Sequence, residues 1–429
     1  MDNKDKLGTQ PYKGVRDFFP EDMAIQNYIF DTWRTVANRF GYVEYNASIL
    51  EPAELYESKS SEEIVNEQTY TFEDRGGRKV VLRPEMTPTV SRMVAAKRKE
   101  YPFPLRWFSI ANVFRYEKPQ KGRLRDHMQL NVDIFGVSSL EAELELIELS
   151  QTTMHAFGAH DTDFIIKVNS RKILDGIYQR YSLDNDSAHR LSQLLDKKAK
   201  ISEEAFSESV TSIIGENAQE FIQLIGSPSY LIDTLSKDNE GVGDIVELVE
   251  KLKVRGVTNI EFDPTIVRGF DYYTGVVFEI FDTSGENPRS LFGGGRYSNL
   301  IEAFGNESIE AVGYGFGDVV LRDFLETHNL LPEYLPPTKI MICLVDNTDE
   351  VENTAHILAS ELRKAGINTT VDMSGKKVGD QITLANKKQI PYIICIGPEE
   401  IKSQTYTLKH LETGKEEHLT KDELISSLI

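Results

Sequence analysis

Between Asn112 and Gly136 the chain reads NVFRYEKPQKGRLRDHMQLNVDIFG, which sets Arg115, Arg123 and Arg125 among the acceptors Glu117, Gln129 and Asp133. Guanidinium groups grip phosphate oxygens in pairs, while carboxylates and amides accept from an amine or an imidazole N–H. The stretch therefore reads as a phosphate-handling hairpin beside a polar small-molecule site. Two distant segments carry similar content: Arg83-Pro84-Glu85-Met86-Thr87, and Arg268 to Gly275, RGFDYYTG. Arg115 and Arg268 sit in apolar, aromatic strand contexts, where an unanswered guanidinium is costly, so a ligand phosphate or a buried carboxylate must meet each. Glu85 has two readings of equal weight, a ligand acceptor or a carboxylate welcomed in a first helical turn after Pro84.

The elements that must position these residues can be read from periodicity. Residues 1 to about 10 read as a frayed end, and Asp17 to Asp22 starts a helix whose apolar positions Ile29, Trp33, Val36 or Ala37, and Phe40 recur at helical spacing before Gly41. Strand-like runs follow at Gly41 to Ile49, Thr69 to Phe72, Lys79 to Arg83, Trp107 to Phe114 and Met128 to Phe135, then a helix over Glu141 to Phe157 and a strand over Phe164 to Val168. Charged helices occupy about 176 to 255, with Ile245, Leu248, Val249 and Leu252 on one face, and Gly-rich aromatic strands resume from Asn259. The prolines of LPEYLPPT, Leu331 to Thr338, mark a linker. Beyond it, strands at Lys339 to Val345, Thr369 to Val371 and Ile390 to Ile396 alternate with helices at Val351 to Ala365 and Lys376 to Lys388. The expected fold class is α+β on an antiparallel sheet (residues 1–175 and 256–330), interrupted by a helical insertion (176–255) and followed, after a linker (331–337), by an α/β module (338–429).

Composition narrows the function. The 429 residues carry a formal charge of −20, which argues against general adhesion to nucleic acid or anionic membrane and leaves only local RNA contacts. Lys376-Lys377, Lys387-Lys388 and the Lys118 to Arg125 loop are the local basic clusters, and each reads equally as a solvated face. Cys343 and Cys395 lie in apolar runs and read as small core residues of a cytoplasmic protein, and no stretch predicts secretion or membrane spanning. There is no G-x-x-x-x-G-K-[ST] loop, no HExxH and no zinc spacing; the triple glycine of FGGGRY does not follow G-x-G-x-x-G and marks either a turn or a close approach of ligand to backbone.

Taken together, the boxes resemble histidyl-tRNA synthetases, class II aminoacyl-tRNA synthetases, over nearly the whole chain. The matching residues are Arg83 to Thr87 for the RPE-x-T box, FRYE (Phe114 to Glu117) with GRLRDHMQLNVDIFG for motif 2, and RGFDYYTG and FGGGRYSNL for the two histidine-associated boxes. The resemblance implies the following roles. Glu85, Thr87 and Gln129 hold the α-ammonium of L-histidine, Asp133 and Tyr273 the two imidazole nitrogens, and Tyr272 lines the pocket. Arg115 and Arg268 bracket the α-phosphate of ATP as the catalytic cations, Glu117 faces the adenine amine and Arg123 leans toward the outer phosphates. It also implies Mg2+ with ATP, its ligands left unknown, tRNA(His) read by a C-terminal anticodon-binding domain, and a homodimer formed through a motif 1 segment from the first helix to Ile49, Leu50, Glu51 and Pro52.

One box departs. Motif 3 of the family reads G-x-x-x-G-x-E-R, whereas this chain has GYGFGDVVLR, with Val320 at the arginine. Arg322 lies about 200° around a helix from that position and cannot simply replace it, which leaves the γ-phosphate to Arg123 or Lys121. Two rival readings follow from the same residues: a synthetase-like regulatory subunit of ATP phosphoribosyltransferase, and an RNA-binding module without catalysis. The C-terminal module and the retained arginines count against the first, and the net charge against the second.

Overall fold

The computed structural model describes residues 7–57, 68–198, 201–235, 239–267, 272–305 and 307–429. They divide into two compact units, Met1–Pro332 and Glu333–Ile429.

The first unit is built on an eight-stranded sheet. Its strands are β1 (Val43–Glu44), β5 (Leu105–Phe114), β6 (Asp126–Phe135), β11 (Ala311–Gly317), β10 (Ser290–Tyr297), β9 (Tyr273–Asp282), β7 (Phe164–Ser170) and β8 (Ile260–Phe262), in that spatial order. The pairings from β5 to β7 are antiparallel, while β1 with β5 and β7 with β8 are parallel, so the sheet is mixed at its edges. A small antiparallel sheet of β2 (Leu50–Pro52), β4 (Lys79–Leu82) and β3 (Tyr70–Glu73) stands beside it. A block of helices runs from Arg171–Arg180 to Glu240–Val254 between β7 and β8.

Period-two alternation divides the large sheet into two chemistries. Leu130, Val132 and Ile134 of β6, Val312, Tyr314 and Phe316 of β11, and Val276, Phe278 and Ile280 of β9 join one core with Ile29 and Trp33 of the helix Pro20–Arg39 and Leu144, Ile147 and Met154 of the helix Glu141–Ala156. The Trp33 ring lies 5.6 Å from that of Phe316. The other face shows Gln129, Asn131 and Asp133 of β6 opposite Gly317, Gly315 and Gly313 of β11. A Cβ at Gly313 would stand 2.0 Å from Asp133 Oδ1, and one at Gly315 2.5 Å from Gln129 Nε2. The glycines of GYGFG are therefore what gives these two polar side chains room.

The strand expected over Gly41 to Ile49 shrinks to Val43–Glu44. Asn46 Oδ1 takes the Ala47 N–H at 2.8 Å, and Arg83 Nη1 donates to the Ala47 and Ser48 carbonyls at 2.8 and 3.3 Å, so local side chains satisfy backbone groups that a ladder would have used. Val113 and Phe114 close the first hairpin strand, in line with the run read from Trp107 to Phe114.

In the second unit, β13 (Thr369–Val371), β12 (Ile340–Leu344) and β14 (Tyr392–Ile396) are parallel, and β15 (Thr405–His410) and β16 (Glu416–Thr420) extend the sheet antiparallel. The helix Asp349–Lys364 buries Val351, Ala355, Leu358 and Leu362 with Ile340, Ile342 and Leu344, while Met341 and Cys343 join a second cluster with Ala385 of the helix Val378–Lys387. Cys343 and Cys395 face each other in register as free thiols, Cys343 buried in the core as expected and Cys395 half-buried at its side. Among the described residues no helix is long and apolar enough to cross a membrane.

Candidate active site

The polar face of the large sheet forms the floor of a cavity of about 1520 Å³. A single small ligand fills roughly 300–1,000 Å³, so this space suits an amino acid together with a larger second substrate. Glu85, Thr87, Arg115, Glu117, Arg123, Gln129, Tyr272 and Tyr273 all line it, which brings eight of the ten site residues named from sequence onto one wall.

Glu85 and Thr87 arrive at the start of the helix Thr87–Lys97, and Pro88 in its first turn fixes that start. Both are buried, and Tyr272 Oη donates to Glu85 Oε2 at 3.1 Å. Arg83, one turn earlier, gives its guanidinium to the backbone of Asn112, Ala47 and Ser48 and serves the fold. Gln129 sits with its Oε1 buried and without a hydrogen-bond partner in the protein. A buried acceptor of this kind calls for a donor on the ligand or an ordered water.

Asp133 lies just behind the wall, under Tyr297. Tyr297 Oη donates to Asp133 Oδ1 at 2.6 Å, and Oδ2 is buried with no partner. Burial pushes the Asp133 carboxyl up to about 7, and the bond from Tyr297 holds it down. Tyr297 itself lines the cavity and was not among the residues named from sequence. Its signal was present: it follows Gly293 and Gly295 at period two on the FGGGRY strand. Next to it, Arg296 is fastened by Glu143 Oε1 and Oε2 at 2.6 Å each, by Glu310 at 2.9 Å and by the Val137 and Ser139 carbonyls, which locks β10 in place.

The arginines separate into different duties. Arg115, just past the end of β5, donates through Nε to the Pro84 carbonyl at 2.9 Å, which ties the hairpin to the Glu85 segment. Arg123 pairs with Glu117 Oε2 at 2.7 Å, so these two side chains face each other across the hairpin loop. Arg125, grouped with them in the sequence, is turned away: it donates to the Glu117 carbonyl, the Tyr12 hydroxyl and the Lys13 carbonyl, and lies 4.0 Å over the Tyr116 ring. Arg268 falls outside the described residues. Val320 is on the cavity wall, and Arg322 is held by Asp22 at 2.9 Å and Glu326 at 3.0 Å. His127, half-buried on the wall, is pushed down to about 3 by burial and by the charges of Arg115, Arg16 and Arg123, so it is neutral at pH 7.

The site can bind an ammonium, a polar ring and a phosphate side by side. Comparison with known proteins agrees with that chemistry. The family model described as histidyl-tRNA synthetase matches residues 14–317, and one described as anticodon binding domain matches 339–429. A histidine--tRNA ligase of Leptospira biflexa serovar Patoc is 45% identical over 412 residues, covering 95% of this chain and 94% of the relative. One from Opitutus terrae is 36% identical, with 97% of each chain covered. Among solved structures, the histidyl-tRNA synthetase of Nostoc sp. PCC 7120 superposes with a TM-score of 0.82 at 24% identity over 99% of both chains. The apo S. aureus histidyl-tRNA synthetase has a TM-score of 0.72 at 22% identity, covering 98% of this chain and 100% of that one; these two likenesses speak to the fold. On the strength of the family match over residues 14–317 and of relatives aligned over nearly their whole length, the chain belongs to the histidyl-tRNA synthetase family.

Proposed function

We propose that the cavity described above activates L-histidine with ATP and passes the histidyl group to tRNA(His). The family match and the full-length relatives make the chain an ATP-dependent aminoacyl-tRNA synthetase, a histidine--tRNA ligase. In the first step a histidine carboxylate oxygen attacks the α-phosphorus of ATP and pyrophosphate leaves. In the second, a terminal ribose hydroxyl of the tRNA attacks the histidyl carbonyl and AMP leaves. The nucleophile of the first step is already ionised, so positioning and charge stabilisation do the work.

In this reading Glu85, Thr87 and Gln129 hold the α-ammonium, with Tyr272 orienting Glu85. Asp133 and Tyr273 hold the imidazole nitrogens, and Tyr297 orients Asp133 by its hydroxyl. Arg115 and Arg268 bracket the α-phosphate. Glu117 meets the adenine amine once Arg123 swings from it to the outer phosphates. The observation that supports this best is that Glu85, Gln129, Tyr273, Tyr297 and Arg115 line one cavity, with Asp133 beneath.

ATP use in this class implies a divalent metal. No cluster of three or more metal-ligating side chains occurs among the described residues, which fits a metal carried by the nucleotide phosphates with one protein carboxylate and several waters, as Mg2+ prefers. Glu279, on the cavity wall, would be that carboxylate, and the metal would offset phosphate charge.

We assign residues 1–175 and 256–330 to the catalytic domain, 176–255 to a helical insertion, 331–337 to the linker and 338–429 to anticodon recognition, in a cytoplasmic homodimer. Histidine-dependent exchange of labelled pyrophosphate into ATP tests the activity. Exchange with histidine and not with other amino acids is expected, and folded protein without exchange would turn the reading toward a histidine-sensing regulatory subunit.

A further inference from the structure

Position 320 holds a valine on the cavity wall, and Arg322, two residues on, is held by Asp22 and Glu326. A guanidinium from the opposite end of the unit's sequence, that of Arg16, is held on Asp318 next to this part of the wall. Residues 12–16 run as a strap over the hairpin loop. The Arg125 N–H donates to the Gly14 carbonyl at 2.7 Å, and Arg125 Nη1 donates to the Tyr12 hydroxyl at 3.0 Å and the Lys13 carbonyl at 3.3 Å. Gly14 has φ +87°, and a Cβ there would come 2.8 Å from Pro119 and 2.9 Å from Arg125, so only glycine lets the strap lie this close.

The strap sets Arg16 against the first residue of the helix Asp318–Thr327. Arg16 Nη2 donates to Asp318 Oδ2 at 2.8 Å, and the fully buried Asp318 is itself fixed by the Met128 N–H, which donates to Oδ1 at 2.9 Å. Asp318 stands between Gly317 and Val319, both of which line the cavity, as does Val320. Arg16 Nε is buried and has no hydrogen-bond partner in the protein. Its charge is felt at His127 on the wall, together with those of Arg115 and Arg123. Arg16 thus stands beside the wall, and its charge acts on the same His127 as those of Arg115 and Arg123 of the hairpin.

We propose that Arg16 supplies the outer-phosphate contact that position 320 lacks, with Asp318 as the carboxylate that aims it. The inference rests on the adenylate-forming reading given above and names the residue that replaces the missing cation. As ATP binds, the guanidinium keeps Nη2 on Asp318 and turns its remaining N–H groups to the β- and γ-phosphates, where it stabilises the leaving pyrophosphate.

The test uses the full-length protein, with ATP binding followed by calorimetry and pyrophosphate exchange followed at varied ATP and varied histidine. Arg16→Ala is expected to lower kcat/KM for ATP by about tenfold to a hundredfold and to weaken ATP binding, while KM for histidine stays within about twofold. Arg16→Lys, which keeps the charge beside Asp318 and the fold, is expected to fall between the two. Were Arg16 merely neutralising Asp318, the double variant Arg16→Ala/Asp318→Asn would recover ATP binding, because asparagine retains the acceptor for Met128 and removes the unpaired charge. Continued weakness in the double variant supports the proposal. Recovery in the double variant, or normal ATP parameters in Arg16→Ala, overturns it while the synthetase reading stands. Failure of the unmutated protein to bind ATP and exchange overturns both.

Discussion

A carboxylate under a binding pocket is useful as an acceptor only when ionised, and burial sets that condition near neutrality for Asp133. Its folded pKa of about 7 lies above the roughly 3.9 of an unfolded aspartate, so the folded protein binds this proton more tightly. Ionising Asp133 therefore destabilises the fold progressively as pH rises from about 4, and the full cost is present above about 7. Asp133→Asn is expected to melt higher than the parent protein, by a margin that grows between pH 4 and 7 and then levels, while losing histidine activation about a hundredfold or more. Thermal melts across pH and exchange kinetics check the two halves; a margin over the parent protein that is no larger at pH 8 than at pH 4 contradicts the assignment. Tyr297→Phe removes the bond that holds the carboxyl down, so the rise of kcat/KM for histidine with pH is expected to move to higher pH. Asp133 and Gln129 were legible in the sequence as acceptors among apolar strand residues, and Tyr273 through the resemblance of RGFDYYTG. Tyr297 stood at period two behind Gly293 and Gly295, but its bond to Asp133 was not legible, because the two lie 164 residues apart.

Elements turn those residues into a site by alternation. On β6 and β11 the even-numbered Leu130, Val132, Ile134, Val312 and Phe316 build the core while the odd-numbered His127, Gln129, Asn131, Gly313, Gly315 and Gly317 line the cavity, so one strand register fixes both. Gly313→Ala is expected to abolish histidine-dependent exchange, since its Cβ would meet Asp133 Oδ1 at 2.0 Å and the Val132 carbonyl at 2.9 Å. The backbone oxygen cannot move aside, so loss of stability should accompany loss of activity, and calorimetric melting of the variant reads both. Arg296→Ala should cost about 3–5 kcal/mol, because it leaves the buried Glu143 unpaired. Denaturant unfolding measures it, and a loss under about 1 kcal/mol would mean that Glu143 finds another partner or takes up a proton. The strands of both units could be read to within a few residues from their apolar alternation. The short β1 could not, because Arg83, 36 residues from Ala47, supplies the donor that ends it.

At the scale of the molecule, each unit has its own core, so the proposed division of activation from tRNA recognition can be tested by cutting between them. A fragment of residues 1–332 is expected to retain histidine-dependent pyrophosphate exchange within about tenfold, and to lose tRNA charging by about a hundredfold or more as the second set of contacts is removed. Charging at the full-length rate would remove the second unit from tRNA recognition. Val43 and Leu50 are exposed apolar residues that the proposed homodimer would cover. Light scattering of the full chain should give twice the 48.7 kDa of one copy.

By itself the sequence determined the class of chemistry, the two-unit architecture and the core, because residue types name the possible partners and hydrophobic periodicity names the buried face. Only the tertiary structure decided which guanidinium does what. Arg123 turns to Glu117, Arg125 to the strap, and Arg16 to Asp318 across 302 residues of sequence, since an arginine is claimed by whichever acceptor the folded chain brings within about 3 Å.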